Sequence, residues 1–150
     1  EAVSRSRYES DDDRNNEREA FARIEGAMQC KIDKVPPMYV VDFLASRDGY
    51  GVSWGEYKKR NWTWGDYPTV VLSLKKILAA NDLYQATGLR TFLYIEDAGN
   101  EIRYADIVRT PGSGGPPITP TMGGRTLNTR DQGDIEPVAH FPIKIFGRLK

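Results

Sequence analysis

The sequence predicts an α/β domain with a mixed central sheet flanked by helices. Three observations lead there. Apolar residues recur at helical spacing in two separate segments, Arg14–Met28 and Ser73–Gly88. Strand-like runs fill the chain between and after them. The second helical segment also lies between two strand segments, where it suits a crossover that leaves those strands parallel.

The elements follow in order. Residues 1–13 are polar and acidic without periodicity, and are expected to form a flexible arm ahead of a single domain, 14–150. In the first helix Phe21, Ile24 and Met28 make the apolar stripe, and Glu17 lies on it one turn earlier. Pro36-Pro37 breaks the chain before MYVVDFLA, Met38–Ala45, which reads as a strand carrying an anomalous acid, Asp42. Arg47-Asp48-Gly49 has the composition of a hairpin turn into GVSWGEYKKRN, Gly51–Asn61. Along that strand, period two places Val52, Trp54, Glu56 and Lys58 on one face. Ser73 suits the N-cap of the second helix and Gly88 its stop. TFLYIEDAGNEIRYADIV, Thr91–Val108, reads as two strands around a turn at Asp97–Asn100. Pro111–Gly124 is a Gly/Pro loop, and Val138–Phe146 a last strand, placed at a sheet edge by Pro142.

Composition narrows the function. Charged residues make up 28% and the hydrophobic set 39% of the 150 residues, ordinary for a soluble globular chain. No apolar run approaches the roughly 18 residues of a membrane span, and no basic-then-apolar leader is read. A single cysteine, Cys30, allows no internal disulfide and fits a reducing cytosol; with only one histidine, His140, a structural zinc site lacks its ligands. His140 in an apolar strand is expected to be structural, as is Cys30 at a helix end. Positive and negative charges balance at 21 each, so net charge does not point to nucleic acid; the basic groups Lys58-Lys59-Arg60 and Lys75-Lys76 do so weakly. No phosphate-binding Gly-rich loop argues for a nucleotide cofactor.

If Asp42 and Glu56 stand on neighbouring antiparallel strands, their carboxylates can converge on one hard cation. Lys58, on the Glu56 face, can then position water or stabilise charge on a phosphoryl transition state. Read singly, each residue has a plainer account: Asp42 bonded to backbone, Glu56–Lys58 a surface pair, and Lys59-Arg60 a solvated strand end. Trp54, Trp62 and Trp64 could stack on bases, but tryptophans more often pack cores and loops.

Together, Glu17 in the first helix, Asp42 in VVDFL, Glu56-Tyr57-Lys58 and the helix that follows resemble the PD-(D/E)XK nuclease superfamily, in its small phage-encoded form. The resemblance covers residues 14–108, and DIEPVAHFPIKIF is similar to the closing strand of such members. Lys76 lies where related phage-type sequences often carry a basic or amide residue, and Val41 replaces the proline that often precedes the aspartate. The resemblance implies a restriction-endonuclease-like core and Mg²⁺- or Mn²⁺-dependent hydrolysis of phosphodiester bonds. Asp42 and Glu56 would be metal ligands, and Lys58 would stand beside the attacking water; Glu17 could add a further ligand or an acceptor behind them. Lys59, Arg60, Lys75 and Lys76 would contact DNA. The expected partners are DNA and, further, a second copy or phage particle proteins, with no membrane. The expected setting is the host cytoplasm, or association with a virion. The alternative is a catalytically inactive module of the same fold, serving as a virion structural or nucleic-acid-binding protein.

Overall fold

The computed structural model describes residues 11–115, 118–124 and 135–150. Helix α1 spans Asp11–Met28 and leads into strand β1, Lys31–Lys34. Strands β2 (Phe43–Arg47) and β3 (Tyr50–Lys59) form a hairpin. Strand β4 (Thr69–Ser73) runs directly into helix α2 (Leu74–Thr87). Then come β5 (Thr91–Glu96), β6 (Ile102–Asp106), β7 (Thr121–Gly124), β8 (Ile135–Pro142) and β9 (Gly147–Arg148). The main sheet has the order β1-β2-β3-β5-β6-β9, antiparallel except where β3 and β5 run parallel. The crossover expected from the second helix is therefore present. A second sheet, β4-β8-β7, is antiparallel.

The main sheet separates two apolar clusters. On one face Ala20 and Ile24 of α1 pack with Phe43, Tyr57, Tyr94 and Ile102. On the other, Ile77 and Ala80 of α2 join Leu93 and Ile95 of the main sheet, and Ile107 just past β6, with Val70, Leu72, Ala139 and Phe141 of the small sheet. Phe21 meets Phe43 edge-on at 4.9 Å between ring centroids. Phe43 stands opposite Gly55 on β3, and its ring covers the place a Cβ on Gly55 would occupy. Only glycine allows the strands to meet there without displacing the ring.

Local chemistry explains most boundaries. Asp48 (φ 53°) and Gly49 (φ 85°) supply the two left-handed residues of a tight hairpin turn. The Ser73 hydroxyl accepts the Lys75 N–H, and Gly88 (φ 75°) ends α2 by returning its N–H to the Tyr84 carbonyl at 2.8 Å.

Several expectations need correction. Helix α1 begins at Asp11, so Asp11–Asp13 belong to its first turn, where acids suit the macrodipole; residues 1–10 of the expected arm lie outside the described residues. Met38–Ala45 is not one strand. Pro37–Tyr39 forms a 3-10 turn, Val40 takes a left-handed backbone (φ 70°), and pairing starts only at Phe43. Asp42 therefore precedes its strand. Pro142 closes β8, which is the central strand of the small sheet, and that sheet, with β1, β4 and β7, was not anticipated.

Candidate active site

Strand β3 carries its polar row from solvent into the core and out again. Val52 is 36% exposed, Trp54 9% and Glu56 0%, and Lys58 re-emerges with a third of its side chain exposed. Period two holds Glu56 and Lys58 on the α2 face, beside Leu93 and Ile95, their register partners on β5. Asp42 is fixed across the hairpin by backbone. Its N–H donates to the Gly55 carbonyl at 2.9 Å, and its Oδ2 accepts the Tyr57 N–H at 2.8 Å. The carboxylate thus replaces a missing ladder bond, which leaves Oδ1 without a protein partner among the described residues.

Glu56 is the unusual member. Neither of its carboxylate oxygens accepts a well-directed hydrogen bond among the described residues, although both are inaccessible to solvent. The ammonium groups of Lys58 and Lys76 stand 3.2 and 3.1 Å from the same Oε2. Lys76 is steered there from the first turn of α2 and also donates to the Val40 carbonyl. That carbonyl belongs to the residue with the left-handed backbone, an uncommon conformation for a β-branched side chain and one that collects at functional sites. Burial, and then the negative charge of Asp42, raise the Glu56 pKa above its ordinary value of 4.5, against the opposing pull of Lys58 and Lys76.

Asp42, Lys58 and Lys76 open onto a cavity of about 410 Å³ whose wall also includes Lys34, Lys75 and Glu136, with Glu56 behind the two lysines rather than on the wall. Glu136 arrives from β8 and accepts the Ser73 hydroxyl at 2.6 Å. Neither Glu136 nor Lys34 was singled out in the sequence. Each reaches the cavity through β8 or β1, elements too short or too distant in sequence to announce their neighbours.

The other predicted residues fall differently. Glu17 is on the α1 side and is held by Lys34 at 2.7 Å. Among the described residues no three acids gather as a metal cage, so Glu17 does not join Asp42 and Glu56 as a first neighbour. Lys59 points to the α1 face, where the Asp97 carbonyl and Asn100 Oδ1 each accept from it at 2.9 Å. Its ammonium is not presented to the cavity. Lys75 is exposed at the rim, and Arg60 lines a neighbouring groove. His140 is bracketed by Thr69 at 3.3 Å and Thr121 at 2.8 Å, a cross-strand arrangement that ties the small sheet together. Trp64 packs on Phe146 and donates its indole N–H to the Glu101 carbonyl.

The donor set suits a hard cation. Among the described residues Asp42 Oδ1 and Glu56 Oε1 have no protein partner, Glu56 Oε2 meets only the two ammonium groups, and two carboxylates leave room for water and phosphate oxygens, as Mg²⁺ and Mn²⁺ prefer. Asp42 and Glu56 would hold such an ion, which when bound polarises a phosphate and lowers the pKa of a water. The four lysines around the cavity favour a phosphate there.

A family model described as "phage putative PDDEXK endonuclease" matches residues 3–149. The chain belongs to this family. The match spans both clusters, so it includes the small sheet as well as the hairpin and α2. The mixed sheet, with its parallel β3–β5 pair and two helices, is consistent with a PD-(D/E)XK fold. No curated protein matches the chain significantly. Among the described residues no helix is long and apolar enough to cross a membrane.

Proposed function

We propose that this chain hydrolyses phosphodiester bonds in DNA with the help of Mg²⁺ or Mn²⁺, and that it meets its substrate in the host cytoplasm. The observation that carries this reading is Glu56: fully buried, without a well-directed hydrogen bond, and facing Asp42 and two ammonium groups. A buried carboxylate left in that state is costly unless something binds it. A divalent ion together with a phosphate would satisfy it.

The roles follow from position. Asp42 and Glu56 supply the anionic oxygens. Lys58 orients the attacking water and stabilises charge that accumulates on the phosphoryl oxygens. Lys76, anchored by the Val40 carbonyl, holds Glu56 in place and adds positive charge beneath the phosphate. Incubation of labelled DNA with the protein in Mg²⁺ should release cut products that EDTA suppresses. Glu56→Gln and Lys58→Ala should each lower the rate by about a hundredfold to a thousandfold, the range for losing one transition-state contact, with the folded state retained. Undiminished cleavage by both variants would remove the assignment.

The two lysines on one Glu56 oxygen favour a second reading, a structural ion cluster in a module that binds nucleic acid or virion proteins without cutting. In that case the chain binds DNA with salt sensitivity and shows neither cleavage nor a Mg²⁺-dependent gain in stability.

A further inference from the structure

Ser73 and Glu136 are a shared wall. On the far side from Lys58 they border a second cavity of about 540 Å³, within the size range of small-molecule pockets. Arg60 reaches it by continuing the polar row of β3: its N–H bonds the Glu96 carbonyl at 2.8 Å, so the ladder extends one residue beyond Lys59. Glu56, Lys58 and Arg60 therefore share a face, and Arg60 follows Lys58 by about 6.6 Å along the strand. Arg60 is half-buried and forms no ion pair with a carboxylate among the described residues, the Glu56 charge acting on it only from further off; the one protein hydrogen bond of its guanidinium goes to the Lys59 carbonyl at 3.5 Å. A cation so placed is matched to an anion from outside.

Aromatic surface completes the cavity. Tyr67 is 57% exposed and meets Trp62 edge-on, with 6.3 Å between centroids. Among the described residues the Trp62 indole N–H donates to no protein group, whereas those of Trp54 and Trp64 both do. Val71, 42% exposed, adds an apolar flank. Glu136, the acid on the shared wall, is turned to the Ser73 hydroxyl. A cation without an ion pair, two aromatic rings and an open indole N–H suit a nucleotide better than a purely apolar ligand.

We infer that this groove receives an unpaired nucleotide next to the scissile phosphate, with its base against Tyr67 and Trp62 and its phosphate on Arg60. The inference rests on the nuclease reading and narrows it: the substrate is DNA with a single-stranded segment at the cut site. A base inside a duplex is stacked on both faces and paired along its edge, so it cannot enter the groove without leaving the helix.

The test is a pair of measurements on the full chain. In EDTA, binding of a fluorescent oligothymidylate and of a duplex of equal length is followed by anisotropy. In Mg²⁺, cutting of the two substrates is compared. The single strand should bind at least about tenfold more tightly. Tyr67→Ala should weaken that binding by about tenfold, the scale of one lost base–aromatic stack. Arg60→Gln should weaken it and flatten its salt dependence, while duplex affinity changes little. Circular dichroism of both variants checks that the fold is intact, and Arg60→Lys, which keeps the charge, should restore part of the affinity. Equal affinity for the two DNAs, or single-strand binding indifferent to both Tyr67 and Arg60, overturns the inference. If Tyr67 and Arg60 matter for binding and nothing is cut, the groove stands and the nuclease reading falls. If duplex is cut in a Glu56-dependent way while Tyr67 is immaterial, the nuclease reading stands and the groove falls.

Discussion

Glu56 and Asp97 are both buried acids, 0% and 3% exposed, and they are built in opposite ways. Asp97 is saturated. Its Oδ1 accepts the N–H groups of Gly99 and Glu101 at 3.0 and 2.9 Å, and its Oδ2 accepts that of Trp64 at 3.1 Å. Burial alone would raise its pKa, but the N–H groups of Glu101, Trp64 and Gly99, with the charge of Lys59, outweigh it and hold Asp97 below its ordinary value. Glu56 receives no backbone N–H, and its pKa moves up. A buried acid whose bonds close within the chain organises a turn. Glu56 is met instead by two ammonium groups on one oxygen, while its other oxygen has no partner among the described residues.

The largest stability effect should come from the saturated acid. Asp97→Ala strands three backbone N–H groups and should cost about 3 kcal/mol or more, read as a fall in the urea midpoint. A loss below 1 kcal/mol would mean that water replaces the carboxylate easily and that the contrast with Glu56 is weaker than its geometry.

Next in size is the response to metal. Mg²⁺ at a hundred times its Kd should stabilise the wild-type chain by about 2.7 kcal/mol and Glu56→Gln hardly at all. Equal shifts in the two proteins would place the ion elsewhere.

The smallest effect is on pH dependence in EDTA, where the two acids should act on opposite limbs. The Glu56 pKa is raised in the folded state, so its contribution is most favourable below the ordinary value of 4.5 and is lost as pH rises through the folded value. The charges facing it are Asp42, Lys58, Lys76 and, more weakly through its own pKa, Arg60. Glu56→Gln should therefore gain stability relative to wild type at pH 8, read as a rise in Tm, and gain nothing at pH 4. Lys58 and Lys76 keep 32% and 21% of their side chains in solvent, so water can take over their charge. The Asp97 pKa is depressed, so its contribution is present above 3.8 and is lost as pH falls through the folded value; Asp97→Asn should flatten only that acid limb. A Glu56→Gln variant less stable than wild type at pH 8 would reverse the assignment of the two acids.

Much of the scaffold was readable because local chemistry decides it. Asp48-Gly49 encodes its turn, Ser73 and Gly88 bound α2, and the position of α2 between strands made β3 and β5 parallel. That Asp42, Glu56 and Lys58 are neighbours was legible from parity along one strand and one hairpin. Parity would also have separated Lys59 from Lys58, since adjacent strand residues face opposite ways; reading Lys58-Lys59-Arg60 as one basic group concealed this. Strand β1, KIDK, was missed because four residues with three charges carry no apolar signal. TVVLS was absorbed into the approach to α2, and with it went the small sheet and Glu136. Met38–Val40 looked like strand by composition, yet the two prolines fix a 3-10 turn that composition does not reveal.

Gly55 gives the candidate site a dependence that no inventory of its charges would disclose. The Phe43 ring fills the space where a methyl group would sit, on the side of the sheet away from Glu56. Next to that contact the Asp42 N–H reaches the Gly55 carbonyl and its carboxylate accepts the Tyr57 N–H. An absent side chain thus acts as the spacer between two acids that lie on the opposite surface. A scan confined to ionisable residues would leave the dimension of the site unexplored, and a single methyl added at Gly55 would alter it without touching any charge.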